Sequence, residues 1–213
     1  MGAHGNKFVG NLITDVSGGG VAIDLNLEGN PTEAWKISRD NVVRSNYIEK
    51  TGRDYYQSVG IMVGYTQGSV IEHNELTDMP YSGISVGWGW ADVDNAGRDN
   101  VVRYNRVWNV LHTESDGGGV YTLSRQPGTL LAENYIFDIV RYPWLGGYEI
   151  NGIFMDQGSN LITVRDNVYQ NIDDVDLRLN EPGTRNAFLD DTLSPAAVVA
   201  NSGLEPAYWD IRP

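Results

Sequence analysis

The chain has 213 residues, which suits a single domain and is short for two. It carries 15 lysines and arginines against 28 aspartates and glutamates, and the formal net charge of −13 disfavours nucleic acid and anionic membranes as partners. The sequence has no cysteine and no apolar run of about eighteen residues, so it predicts neither a disulfide framework nor a membrane-spanning helix.

A short unit recurs along the chain: an apolar residue, two residues, Asn, one residue and a second apolar residue. The asparagines of the unit are Asn11, Asn46, Asn74, Asn105, Asn134 and Asn167, spaced by 35, 28, 31, 29 and 33 residues. A period of roughly thirty residues is typical of stacked coils that bury their apolar faces against each other. We expect the asparagines to lie at one corner of successive coils and to form a ladder of amide hydrogen bonds.

A second unit, Gly followed by alternating apolar residues, lies between the asparagines. It begins at Gly20, Gly60, Gly83, Gly119 and Gly152. The alternation predicts strands whose first and third residues after the glycine point inward, and whose second and fourth point outward. Because no long stretch has a 3.6-residue apolar period, the two units predict an all-β fold, a right-handed parallel β-helix of about six coils.

We assign residues 1–213 to one domain, with the coils in 1–169. Residues 170–213 lack both units and contain four prolines, so we expect them to form an irregular C-terminal cap. The first coil begins almost at the start of the chain, and an unpaired sheet edge invites association. We therefore expect either further coils upstream or a homo-oligomer formed through the N-terminal end.

The outward positions of the glycine unit predict a groove along one side of the coils. The second outward residues are Ala22, Met62, Ser85, Tyr121 and Phe154, which are small toward one end and aromatic toward the other. The long insertions 24–40, 87–100 and 137–150 are expected to border the working surface.

Aromatic residues near this groove are candidates for stacking on sugar rings, and the alternative is that they cover their own coil. The candidate substrate-binding residues are Trp88, Trp90, Tyr121, His112 and Trp144. A carbohydrate is therefore the predicted partner.

Two acids, Asp116 and Glu149, each precede a repeat glycine by three residues. Equivalent positions on adjacent coils would lie ~5 Å apart, where two carboxylates cannot both ionise easily. That separation is typical of the acid and nucleophile in retaining glycoside hydrolysis. The pairing requires the glycine corner to break the in–out alternation, and the alternative is that both acids belong to turns. A third acid, Asp156, is predicted on the outward face, either solvated or functional.

The sequence predicts no cofactor and no metal site. His4, His73 and His112 are not spaced as metal ligands. The stretch 92–99, DVDNAGRD, is as acidic as a calcium loop but lacks the register of an EF-hand, which favours a solvated acidic loop.

Three segments, MPYSGISVGWGW (79–90), ESDGGGVYTLSRQPGT (114–129) and NGIFMDQGSN (151–160), resemble bacterial right-handed parallel β-helix glycoside hydrolases of the α-L-fucosidase and xylanase type. The tail ANSGLEPAYWD (200–210) is also similar to the end of such proteins. The resemblance implies that the chain is the C-terminal half of a longer enzyme, and that two aspartates, Asp116 and Asp156, carry the acid/base chemistry. It also implies a secreted or periplasmic protein, although the start of the chain shows no signal peptide.

Three functions stay open at this point. The first is a glycoside hydrolase, or the catalytic portion of one, acting on neutral plant or microbial polysaccharide. The second is a non-catalytic carbohydrate-binding or structural β-helix. The third is a calcium-dependent polysaccharide lyase with Arg125 as its basic residue, which the acidic charge disfavours because the substrates of lyases are polyanions.

Overall fold

The computed structural model describes residues 2–24, 30–189 and 192–213, and within them most of the regular structure is β-strand. The first of three main parallel sheets contains Lys7–Val9, Val42–Arg44, Val70–Glu72, Val101–Arg103, Leu130–Ala132, Thr163–Arg165 and Ala187–Leu189. The second contains Leu12–Ile13, Tyr47–Glu49, Glu75–Thr77, Arg106–Trp108, Tyr135–Ile139 and Val168–Ile172. The third contains Val21–Ile23, Ile61–Val63, Ile84–Val86, Gly117–Thr122, Ile150–Met155 and Val175–Leu179. A small sheet pairs Ser38–Arg39 with Thr66–Gln67.

The chain visits the three main sheets in turn, and each strand pairs in parallel with the strand one turn further on. In the first sheet, for example, Val43 pairs with Ile71 and Ile71 pairs with Val102. This order of strands is consistent with a β-helix solenoid, and the prediction of a mostly β fold built from stacked parallel strands is confirmed.

The predicted asparagine ladder is present at the corner between the first and second sheets. Each amide nitrogen donates to the amide oxygen of the next asparagine at 2.8–3.0 Å, from Asn11 through to Asn167. The residue before each asparagine has a positive φ, as at Ser45 (50°) and Tyr104 (52°), which turns the chain from one sheet into the next. The four asparagines between the two end members are fully buried, so the ladder satisfies polar groups that have no access to water.

The repeat glycines form a second corner, where the chain enters the third sheet. A Cβ at Gly83 would lie 2.7 Å from Val107 Cγ1, and one at Gly119 would lie 2.6 Å from Ile136 Cγ2. The open side of each glycine therefore faces the core, as does the next residue along, such as the fully buried Val120. Two successive inward positions break the in–out alternation at this corner, as the pairing of Asp116 with Glu149 requires.

The predicted boundary at residue 169 is wrong. Strands Val168–Ile172, Val175–Leu179 and Ala187–Leu189 extend the second, third and first sheets beyond it. The Asn unit ends at Tyr169, inside Val168–Ile172, whereas Val175–Leu179 has no repeat glycine and Ala187–Leu189 is not followed by an asparagine. The residues of these three strands are all partly or fully exposed.

The helices are short: the 3-10 helices Ala34–Lys36 and Pro206–Ile211, and the α-helix Pro195–Asn201. Over the described part of the chain, no helix has the length and apolar character to cross a membrane. Of the predicted insertion 24–40, residues 25–29 lie outside the described residues.

We expected the tail to cap the end of the coils, but after its helix Pro195–Asn201, which packs against the strand Val168–Ile172, the tail leaves the last strands. It runs back along the asparagine corner toward the start of the chain. Arg212 donates to the buried carboxylate of Glu75 at 2.6 and 2.7 Å, and Glu205 accepts from Arg44 and from Ser45. These contacts join residues 137 to 161 positions apart in sequence, so they hold the tail against the outside of the asparagine corner.

Candidate active site

The outward residues of the third sheet form one column across the stacked strands. In order of pairing they are Ala22, Met62, Ser85, Tyr121, Phe154 and Arg178. The first five members and their order are confirmed as predicted. Arg178 joins the column because the strand Val175–Leu179, which neither repeat unit predicts, pairs with Ile150–Met155.

A cavity of about 790 Å³ lies against this column and is lined by Ala22, Met62, Ser85 and Tyr121. Residues from the insertions and turns complete its walls: Tyr81, Trp88, Trp90, Glu114, Asp116 and Tyr148. Of the eight candidate site residues, Asp116, Tyr121, Trp88 and Trp90 therefore line the cavity. The other four, Glu149, Asp156, His112 and Trp144, lie outside its lining.

A bend at Gly118 brings the segment of Asp116 back over the sheet. A Cβ at position 118 would lie 2.6 Å from the carbonyl oxygen of Val120 and 3.3 Å from the Cβ of Phe154, although residue 118 pairs with Asn151. In a straight strand pair, three residues along the strand would separate position 118 from Phe154 by about 10 Å. The chain therefore turns sharply at this glycine, which has no side chain to clash with the backbone.

Asp116 and Glu149 are neighbours on adjacent strands, as predicted, because the amide N–H of Asp116 donates to the carbonyl oxygen of Glu149 at 3.1 Å. Their carboxylates, 49% and 48% exposed, both contact one guanidinium. Arg178 Nη1 lies 3.2 Å from Asp116 Oδ1, and Nη2 lies 3.0 Å from Glu149 Oε2. The same guanidinium packs 4.3 Å from the centre of the Phe154 ring. We expected the two carboxylates to repel each other. The Arg178 guanidinium contacts both, and its positive charge offsets that repulsion.

Asp156 is covered by its neighbours and is only 7% exposed. Its Oδ2 accepts a hydrogen bond from the Tyr121 hydroxyl at 2.5 Å, and its Oδ1 accepts one from Asn180 Nδ2 at 2.7 Å. It lies at the outward end of the strand, as predicted, but it is not solvated. Asp156 is connected to the cavity through Tyr121, whose ring lines the wall.

Two tyrosine hydroxyls lie beside Asp116 and Asp156. Burial raises the pKa of Tyr81 to about 12, and the negative charge of Asp116 adds to the rise. Burial also raises the pKa of Tyr121 well above its usual value, as does its hydrogen bond to Asp156. Both hydroxyls therefore stay protonated at neutral pH, and that of Tyr81 donates to the carbonyl oxygen of Asp116 at 3.0 Å.

Trp88 and Trp90 form one rim of the cavity. Their ring centroids lie 5.0 Å apart with an interplanar angle of 67°, and Trp90 is 55% exposed. Gly89 between them has a φ of 91°, and a Cβ there would lie 2.8 Å from the Tyr65 hydroxyl. A glycine is thus needed at this position for both rings to point at the cavity region.

His112 and Trp144 belong to a second aromatic cluster with Tyr142, next to the cavity. The ring of Tyr142 stacks on Trp144 at 4.9 Å and meets His112 edge-on at 6.4 Å. His112 Nε2 lies 3.4 Å from Asp78 Oδ1. Burial lowers the pKa of His112, and the charge of Asp78 opposes that shift without reversing it.

Arg125 is engaged by the acidic loop 92–99 and does not line the cavity. Its Nε donates to Asp92 at 2.7 Å, its Nη1 donates to Asp94 at 2.5 Å, and these bonds raise the pKa of Arg125. An arginine held in this way is unsuited to act as the base of a lyase. Within residues 2–24, 30–189 and 192–213, no three His, Cys, Asp or Glu side chains are grouped as metal ligands.

A solved structure described as a glycoside hydrolase matches this chain with a TM-score of 0.87 and 28% sequence identity. The fold is glycoside hydrolase-like. The match covers 97% of this chain and 36% of that hydrolase, so the chain spans little more than a third of the hydrolase's length. No family model and no curated protein matches the chain.

Several residues of the site, Glu114 among them, were missed in the sequence. Tyr81 and Tyr148 lie in segments that had been singled out, the first beside the repeat glycine at 83 and the second in the insertion 137–150. Arg178 and Asn180 lie beyond residue 169, where neither repeat unit marks the strand. The strict outward order of the column was the signal that could have located Arg178, had the pairing been extended by one more strand.

Proposed function

We propose that this chain carries the active-site groove of a glycoside hydrolase that acts on a neutral plant or microbial polysaccharide. The observation that carries the proposal is the position of Asp116, a half-exposed carboxylate on the wall of a cavity whose other walls include Trp88, Trp90 and Tyr121. Glycoside hydrolysis requires carboxylates beside the scissile bond, and aromatic faces hold the C–H surfaces of sugar rings. The similarity to a solved glycoside hydrolase supports the same class of reaction.

In this proposal Asp116 acts as the nucleophile or as the acid/base, and Asp156 is its counterpart. The positive charge of Arg178 stabilises a negative charge on Asp116, which suits a carboxylate that attacks carbon or accepts a proton. Asp156 is bonded to the cavity-lining Tyr121, so a movement of that hydroxyl toward a sugar would free one carboxylate oxygen. Glu149 is the third acid, held against Asp116 by the shared guanidinium.

We infer a β-helix of about six coils, because each main sheet has six or seven strands. We infer that it is right-handed, because connections between parallel strands of one sheet are right-handed in about 98% of cases. The α-L-fucosidase and xylanase type named by the sequence motifs is the proposed group, and the chain is proposed to be the C-terminal half of such an enzyme. The acidic charge supports a neutral substrate over a polyanionic one.

The test is a screen of aryl glycosides and neutral polysaccharides for release of the aglycone or of reducing sugar. On any substrate that is cleaved, we expect Asp116→Asn to lower kcat/KM by about 10²- to 10⁴-fold. Asp210→Asn, which changes an exposed acid of the tail, is the matched control and should hydrolyse like the wild type. Circular dichroism of each variant checks folding. Wild-type activity in Asp116→Asn would contradict the proposed role.

A second candidate function is carbohydrate binding without catalysis. The observation in its favour is that each of the three acids is engaged: Asp116 and Glu149 by Arg178, and Asp156 by Tyr121 and Asn180. Calorimetric binding of a polysaccharide that the protein never cleaves would support this candidate over the first.

A further inference from the structure

The loop within 137–150 presents exposed aromatic rings beside the cavity. Trp144 is 66% exposed and stacks on Tyr142 with an interplanar angle of 20°, and Tyr148 is 62% exposed. The indole N–H of Trp144 donates to the carbonyl oxygen of His112 at 2.8 Å, which fixes the orientation of the ring. Large rings that are both oriented and exposed offer a flat apolar surface to a ligand.

Polar contacts hold this loop in place without burying the rings. The Arg141 guanidinium donates to the carbonyl oxygens of Gly146 at 2.9 Å and Tyr148 at 2.7 Å, and it pairs with the carboxylate of Asp174. Asp174 also accepts from the backbone N–H of Ile150 at 2.9 Å. Burial alone would raise the pKa of Asp174, but these two donors outweigh it and lower the pKa. The loop is therefore preorganised, and its rings are displayed by a framework of hydrogen bonds.

The aromatic cluster is continuous with the cavity. His112 is followed closely in the chain by Glu114 and Asp116, which line the cavity. Tyr148, in the same loop as Trp144, also lines it. The loop also touches the wall, because a Cβ at Gly146 would lie 3.2 Å from Ser115 Oγ. A sugar chain seated in the cavity could thus leave it over the stacked rings.

We propose that Tyr142 and Trp144 form an outer sugar-binding subsite, and that the substrate is a chain of several neutral sugars rather than a single glycoside. This inference rests on the proposed function, since the chain has to enter the same cavity. The net charge of −13 disfavours an anionic polymer. The axial C–H groups of a sugar pack against the negative face of the indole.

The test is isothermal titration calorimetry of the full chain with xylo-, cello- and manno-oligosaccharides of one to about six units. In any series that binds, we expect affinity to rise with the length of the oligosaccharide. Trp144→Ala should weaken binding of the longest members by about tenfold and of the shortest members by less. Trp35→Ala removes a similarly exposed ring, 56% exposed, that lies outside the cavity lining, and it should bind like the wild type.

The outer subsite would be overturned if Trp144→Ala lost equal affinity for short and long oligosaccharides, or lost none for long ones. It would also be overturned if the wild type bound none of these series. Calorimetry does not depend on turnover, so the subsite and the hydrolysis can fail separately. Length-dependent binding at Trp144 without any cleavage supports the subsite and counts against catalysis.

Discussion

Two columns of side chains run along the stacked strands, and they differ in how much they vary. At the corner between the first and second sheets the residue is asparagine at every turn, from Asn11 to Asn167. On the outer face of the third sheet the residue changes at every turn, from Ala22 through Tyr121 to Arg178. Each buried amide needs an identical partner above and below it, whereas four of the outward residues, Ala22, Met62, Ser85 and Tyr121, line a cavity. We infer that the uniform positions maintain the fold and that the variable positions next to the cavity belong to the proposed site.

The largest effect on stability is expected in the uniform column. In Asn105→Leu, the backbone N–H and the amide of Asn74 both lose their acceptor in a buried setting, and we expect a loss of about 3 kcal/mol in the free energy of unfolding. Asn11→Leu is the matched control at the half-buried end of the ladder, and it should cost less than half as much. Urea unfolding followed by circular dichroism measures both variants. Equal losses would mean that burial does not distinguish the members of the ladder.

A smaller effect, on activity rather than on folding, is expected in the variable column. Arg178→Met keeps the packing on Phe154 but removes the charge that contacts Asp116 and Glu149. We expect kcat to fall by about tenfold, since Asp116 and Glu149 lose the cation that contacts both of them.

The kcat of Arg178→Lys should lie between those of the wild type and Arg178→Met, because an ammonium group carries the charge but lacks the two-pronged guanidinium that reaches both acids. Arg185→Met, at an exposed arginine, is the control and should keep the wild-type kcat. A wild-type kcat in Arg178→Met would assign Arg178 to packing alone.

The smallest effect is expected where the tail lies on the ladder corner. The hydrogen bond from Arg44 holds the pKa of Glu205 below its usual value, with burial opposing. A lowered folded-state pKa stabilises the protein above the pKa of the unfolded chain, and this stabilisation is lost as pH falls through the folded-state value.

Glu205→Gln should therefore cost about 0.5–1 kcal/mol at pH 7, a figure reduced for solvent screening because Arg44 is 42% exposed. The difference from the wild type should shrink as pH is lowered below about 4. Glu33→Gln, at an exposed surface ion pair, is the control and should cost less stability at pH 7 than Glu205→Gln. A stability difference between the wild type and Glu205→Gln that grows in acid would contradict a lowered pKa of Glu205.

The parts of the molecule that were predictable from the sequence are those that repeat. The asparagine ladder and the outward order of Ala22 to Phe154 follow from spacing and from the two-residue period of a strand. The last strands were missed because Val175–Leu179 has no repeat glycine and Ala187–Leu189 is not followed by an asparagine.

The contacts that decide the chemistry do not repeat. The guanidinium between Asp116 and Glu149 belongs to Arg178, 62 residues from Asp116, and no periodic pattern links them. The cover over Asp156 depends on how the Tyr121 side chain turns, which a sequence does not specify. The path of the tail likewise depends on single ion pairs, such as that of Glu75 with Arg212.

We expect a sugar to bind in the cavity on the variable column. The most direct measurement is a crystal structure of the protein with a neutral oligosaccharide, chosen as the tightest binder by calorimetry. We predict a sugar ring in the cavity, within stacking distance of Trp88 or Trp90 and within hydrogen-bonding distance of Asp116. An oligosaccharide bound only elsewhere, for instance on the stacked Trp108 and Phe137 rings of the second sheet, would contradict it.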